Sequence, residues 1–150
     1  MPRITRDAEV TWEGSSAKGR GSITAASSGA FAGLPYSEPS RIAAADATET
    51  SPEELLAAAH AACFAMSLAA ELTRDRTPPE RLDVRATVVV DDEGQGHRVV
   101  ASELEVRARV RGSDDAAFAD ATRRADAGCT FSALVRASAT VAIDATLEVS

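Results

Sequence analysis

Residues 51–73, SPEELLAAAHAACFAMSLAAELT, decide how the rest of the chain is read. Ser51 can cap a helix, and Pro52 suits a first helical position because its missing N–H would have no partner there. Glu54 completes a Ser-x-x-Glu capping box. The pattern predicts a helix from Ser51 to about Thr73, ended before Thr77-Pro78-Pro79, which cannot continue it. Phe64, Leu68 and Leu72 fall on one bulky stripe. Ala59, Ala62, Cys63 and Ser67 form a neighbouring surface of small side chains that lets a backbone or a ligand approach the thiol. The uncharged run inside this stretch, from Leu55 to Ala70, spans 16 residues. A bilayer crossing needs roughly 20, so a core helix is expected and a membrane span is not.

Outward from this helix, three segments alternate with a period of two. Leu82, Val84, Ala86, Val88 and Val90 share one face, with Asp83, Arg85 and Thr87 opposite. Leu104, Val106, Ala108 and Val110 lie against Glu103, Glu105, Arg107, Arg109 and Arg111. Val141, Ile143, Ala145, Leu147 and Val149 form the last set. The DDEGQGH segment at 91–97 supplies a turn, so the first two read as an antiparallel hairpin. Weaker strands are expected at 8–13 and 21–25, around a turn with Gly14, Ser15, Ser16 and Gly19. Residues 26–50 read as a long loop rich in Ser, Pro, Gly and Ala. A second helix is expected with Ser113 as its cap, Asp114 and Asp115 in its first turn, and Phe118, Ala121, Thr122 and Ala125 inward; it stops at Gly128. A short third helix follows over 130–136. The order ββ, loop, α, ββ, αα, β is that of an α+β fold.

A chain of 150 residues is long enough for one domain with its own core. Its net charge of −7 and pI near 4.8 repel phosphates, which sets aside nucleic acid and anionic membrane surfaces as partners. The N-terminal MPRITRDAEV carries charges and no apolar h-region, so a cytoplasmic protein is expected. The two Cys and two His, Cys63, Cys129, His60 and His97, are not paired at the close Cys–Cys and His–His spacings of a structural zinc site, so no four-ligand zinc set of those residues is expected.

The thiols carry the remaining chemistry. Cys63 reads either as a small buried apolar residue or as a reactive thiol. His60, three residues earlier, is either a hydrogen-bonded core histidine or the base of a Cys–His hydrolase. Cys129 follows Gly128 at a helix junction, where free N–H groups opening the third helix would favour thiolate. Arg41, in the stretch before the thiol helix, and Glu53, in its first turn, are the charged groups to weigh beside the thiol. Glu53 lies ten residues before Cys63, about 15 Å along a straight helix axis. It can serve that thiol only from a second copy of the chain or through a sharp break in the helix.

The 51–55 start, the AAHAACFAMSLA segment around Cys63, Trp12-Glu13-Gly14, Pro35-Tyr36 followed by Arg41, and Ala127-Gly128-Cys129 occur in order over nearly the whole chain. Together they resemble the osmotically inducible protein C and organic hydroperoxide resistance (OsmC/Ohr) family, and more the osmotically inducible branch. The resemblance implies an OsmC-like fold, a strongly curved antiparallel sheet flanking a central helix, with two chains intertwined as a homodimer that shares its active sites. It implies a thiol peroxidase that reduces organic hydroperoxides, and hydrogen peroxide less well, without metal or prosthetic group. Cys63 matches the peroxide-attacking thiol, Cys129 the resolving one, and Arg41 and Glu53 the family's active-site pair. A dithiol, lipoyl or small, would reset the disulfide. Phe64, Met66 and Leu55 are expected to line an apolar substrate site. Thr130, where the family usually has Pro, and Phe131, in place of a smaller aliphatic, depart from the pattern next to the second thiol. The rival readings are a non-catalytic dimeric binder of a small apolar ligand and the Cys63–His60 hydrolase.

Overall fold

The computed structural model describes residues 2–43, 45–92, 94 and 96–148. It divides into two compact units, Met1–Pro52 and Glu53–Ser150. The α+β class expected from the sequence is what the chain adopts.

In the first unit, β1 (Glu9–Glu13), β2 (Arg20–Thr24) and β3 (Leu34–Tyr36) form an antiparallel sheet in that order. Gly21 pairs with Tyr36, whose ring would stand 2.1 Å from a Cβ at that position, so only glycine permits the packing. Trp12 packs against the same tyrosine at 5.5 Å between ring centroids. The segment 26–50 is not the structureless loop expected. It contains β3 and a short helix α1 (Glu38–Ile42), whose cap Ser37 accepts from the N–H of Ser40 at 3.3 Å. Glu49 fastens this helix: its carboxylate accepts from Ser37 Oγ at 2.6 Å, and its backbone N–H donates to Ser40 Oγ at 3.2 Å.

The second unit is built on α2, Pro52–Arg74. β4 (Arg81–Asp92) and β5 (His97–Arg109) form the expected antiparallel hairpin, with Asp92 opposite His97 and a bulge between Val89 and Val90. Glu93 and Gln95 of the expected turn lie outside the described residues, as does Val149 of the last strand. α3 (Asp115–Gly128) and α4 (Thr130–Arg136) then cross over to β6 (Thr140–Leu147). β6 joins β5 in parallel, so the expected antiparallel pairing does not extend to the last strand. The two intervening helices are the physical reason, because a parallel neighbour needs a crossover connection of this kind. The cap of α3 is Asp114 rather than Ser113: its carboxylate accepts from the N–H of Ala117 at 2.8 Å.

Phe64, Leu68 and Leu72 of α2 are buried with Leu104, Val106 and Ala108 of β5 and Phe118, Ala121 and Ala125 of α3. By length and composition α2 could cross a bilayer, a test that core helices also pass, and here its bulky stripe is core. The opposite faces of the strands carry charge, as in Arg81 with Asp83 at 2.8 Å.

Candidate functional site

Cys63 and Cys129 come together in the second unit although 66 positions separate them. The helical period makes this possible. Cys63 sits one step round α2 from the core residue Phe64, at the edge of the apolar stripe, and is half-buried. Cys129 is 1% exposed and is at once the C-cap of α3 and the N-cap of α4. Its Sγ accepts from the N–H of Ser132 at 3.4 Å, while its own N–H donates to the carbonyl of Asp126 at 3.2 Å. Both cysteines are free thiols.

The Cys63 side chain packs against the buried cluster that includes Cys129, and the Cys129 thiol and the backbone N–H groups of Phe131 and Thr130 are near enough to act on its ionisation. Burial pushes its pKa above the ordinary thiol value, and the adjacent Cys129 adds to the rise; the two N–H groups oppose it and do not cancel it. Within this unit, then, the thiol is close to its partner sulfur, and burial disfavours its ionisation.

His60, one helical turn before Cys63, is fully buried. Its Nδ1 hydrogen-bonds with Ser102 Oγ at 2.7 Å and its Nε2 with Ser132 Oγ at 2.9 Å. Burial lowers its pKa; Asp126 acts against this and Arg136 with it. Both ring nitrogens are thus engaged by serines, which is the core-histidine arrangement and not a Cys–His catalytic pair. Asp126 also accepts from Arg136 at 2.6 Å, a bridge across the α3–α4 junction. Its other carboxylate oxygen is buried without a hydrogen-bond partner among the described residues.

Arg41 lies on α1 in the first unit, with its backbone N–H bonded to the carbonyl of Ser37 at 3.0 Å. Glu53 stands in the first turn of α2. That helix runs unbroken from Pro52 to Arg74, so the route through a helix break is closed. Along such a helix Glu53 remains about 15 Å from its own Cys63. Of the expected apolar lining, Phe64 is fully buried in the core and Met66 is 75% exposed. Adjacent helical positions point about 100° apart, which turns Phe64 inward, away from the thiol's open side.

Ser102, Ser132, Asp126 and Arg136 were not anticipated. A signal existed for the first: Ser102 falls in phase with Leu104, Val106 and Ala108, a polar residue at a core position of β5. Such a group must find a partner inside. Among the described residues no cluster of three or more His, Cys, Asp or Glu could hold a metal.

A model of the OsmC-like protein family matches residues 45–144. The chain is 32% identical over 138 residues to peroxiredoxin OsmC of Escherichia coli strain K12, covering 92% of this chain and 94% of that one. Its structure is similar to that of an organic hydroperoxide resistance protein from Elizabethkingia anophelis, with a TM-score of 0.74 and 21% identity over 98% and 99% of the two chains. It is similar also to an organic hydroperoxide resistance protein OsmC from Legionella pneumophila, with a TM-score of 0.71 and 18% identity over 97% and 99%.

Proposed function

The chain belongs to the OsmC-like protein family, and from that premise we propose that it is a two-cysteine thiol peroxidase acting on organic hydroperoxides in the cytoplasm. The observation that carries this reading is the approach of the Cys63 and Cys129 thiols within one chain.

The thiolate of Cys63 attacks one oxygen of the O–O bond. That bond breaks, the distal fragment leaves as alkoxide and takes a proton, and Cys63 becomes a sulfenic acid. The sulfur of Cys129 then attacks the sulfur of the sulfenic acid; water leaves and the disulfide closes. An external dithiol returns the two electrons and resets the pair.

Ionisation is the difficulty the first step must overcome. A thiol of pKa about 8.5 is only about 3% ionised at pH 7, and burial of Cys63 works against even that. A guanidinium beside the sulfur reverses the balance and also meets the charge developing on the departing oxygen. Arg41 takes that role, oriented by Glu53. On this reading Glu53, about 15 Å along an unbroken α2 from its own Cys63, is contributed by the second copy in an intertwined homodimer, with the whole chain acting as one domain.

One equivalent of cumene hydroperoxide should give a Cys63–Cys129 link by mass spectrometry in the natural protein and a trapped sulfenic acid at Cys63 in Cys129→Ser. Oxidation of Cys63 no faster than that of free cysteine would reject the peroxidase in favour of a binding protein on the same scaffold.

A further inference from the structure

We propose that His60 is a positioning residue for closure of the Cys63–Cys129 disulfide, acting through Ser132. This rests on the two-cysteine reading above. His60 belongs to α2, the helix that carries Cys63. Its Nε2 reaches Ser132 Oγ at 2.9 Å in the first turn of α4, and its Nδ1 reaches Ser102 Oγ at 2.7 Å on β5. Ser132 is in turn the residue whose backbone N–H bonds Cys129 Sγ at 3.4 Å. One imidazole therefore joins the element bearing the first thiol to the turn bearing the second, and uses the sheet as its anchor.

All three side chains in this bracket are fully buried, so water cannot replace a lost bond and a partner left alone is costly. An apolar residue at position 60 would fill the volume but leave two hydroxyls unsatisfied. The imidazole also fixes direction: with a rigid ring between two hydroxyls, Ser132 has one place to be, and its backbone N–H, which bonds Cys129 Sγ, is fixed with it. The junction has a second tie, the Asp126–Arg136 pair at 2.6 Å across Cys129. Loss of the His60 bond therefore loosens the first turn of α4 without releasing the helix.

In the closing step the Cys129 sulfur displaces water from the Cys63 sulfenic acid, so its rate depends on how often the two sulfurs meet in line. The preceding attack on peroxide needs only Cys63 and the groups around the peroxide. The inference thus separates the two half-reactions.

The test uses single-turnover kinetics on the full chain. Ser132→Ala keeps the backbone N–H and removes the hydroxyl. It should slow disulfide closure by about tenfold or more while sulfenic acid forms within about twofold of the natural rate, in line with the cost of misplacing a reacting group. His60→Gln, whose amide extends to the position of Nε2, should close faster than His60→Asn, whose shorter amide reaches only that of Nδ1. Closure at the natural rate in Ser132→Ala, an equal fall in both steps, or no difference between Gln and Asn would overturn the proposal.

A second arm needs no peroxide. In a glutathione redox buffer, oxidised glutathione takes two electrons from the cysteine pair and leaves as two reduced molecules. The effective concentration of one thiol toward the other should fall by about tenfold in Ser132→Ala; an unchanged value would overturn the positioning role. If peroxide fails to oxidise Cys63 in the natural protein, the peroxidase reading falls, and this arm still decides the role of His60.

Discussion

The two ends of α2 use polar side chains in contrasting ways. Near the C-terminus of α2, Arg124 of α3 donates to Glu71 at 2.9 Å and to Asp75 at 2.6 Å, and also bonds Asp120. Between the ends, Ser67 Oγ donates to the carbonyl of Ala125 at 2.7 Å. At the thiol end, His60 bonds Ser102 of β5 on one side of its ring and Ser132 of α4 on the other, and none of the three has any exposed surface. The guanidinium has three acidic partners and water close by, so each bond is replaceable. The imidazole has one geometry and no substitute. Effects of substitution should therefore be steep and specific at the buried end and shallow and salt-dependent at the other.

The largest loss should come from the apolar residue on which both ends lean. Leu68 is fully buried between them, and Leu68→Ala should cost about 3 kcal/mol from lost burial and the cavity left behind. Urea unfolding measures this as a lower midpoint at unchanged slope. A cost under about 1 kcal/mol would mean that the helices close over the gap, and that the core is not what holds the two ends in register.

Acid should next distinguish the ends. The folded pKa of His60 is below that of the unfolded side chain, chiefly through burial. The unfolded chain then binds the proton more readily, so the stabilisation is complete above the unfolded value of about 6.5 and is lost as pH falls from there through the folded pKa. Between pH 7.5 and 5.5 the natural protein should lose more of its urea midpoint than His60→Gln, which has no proton to take up. Parallel loss in the two proteins would assign the acid sensitivity elsewhere.

Local signals should account for a smaller share. Asp114→Ala removes the oxygen that accepts from Ala117 N–H at 2.8 Å and should cost about 1 kcal/mol. Ser113→Ala, at the position the sequence suggested for this cap, should cost less. The reverse order would restore the original expectation.

That misplaced cap illustrates what could be read in advance. Ser113, Asp114 and Asp115 are successive residues able to cap or open a helix, and composition alone does not rank neighbours. Strong periodicity fared better: α4 has the expected bounds, 130–136, and α2 ends within one residue of them. β6 was legible as a strand because alternation identifies a buried face. Its parallel partner was not, since alternation carries no information about which strand lies alongside. β3 and α1, with three and five residues, are too short for a period to show, although Ser37 ahead of Glu38-Pro39 is a helix start. At the candidate site, the two cysteines stood out by residue type and order. The His60 bracket did not, because Ser102 and Ser132 reach it from β5 and α4, and a serine shows its partner only after folding.

The mildest outcome is expected at Arg124, and there the comparison is sharpest. Arg124→Gln removes the cation that Glu71, Asp75 and Asp120 share, while Glu71 keeps Arg74 at 2.7 Å and Asp120 keeps Arg123 at 2.6 Å. Much of what is lost is interaction through water, which salt screens. The variant should be less stable than the natural protein in dilute buffer and nearly equal to it at about 1 M salt, where the Debye length is about 3 Å. Glu71 adds a second signature, because the Arg124 guanidinium holds its carboxyl below the ordinary carboxylate value. The stabilisation is present above the unfolded pKa of about 4.3 and is lost as pH falls through the folded one. The gap between the two proteins should therefore narrow on acidification in dilute buffer, whereas the gap between natural protein and His60→Gln is set at higher pH and is insensitive to salt. Urea midpoints across both series decide it. A deficit in Arg124→Gln that persists in high salt would show that this end, too, depends on a bond water cannot replace.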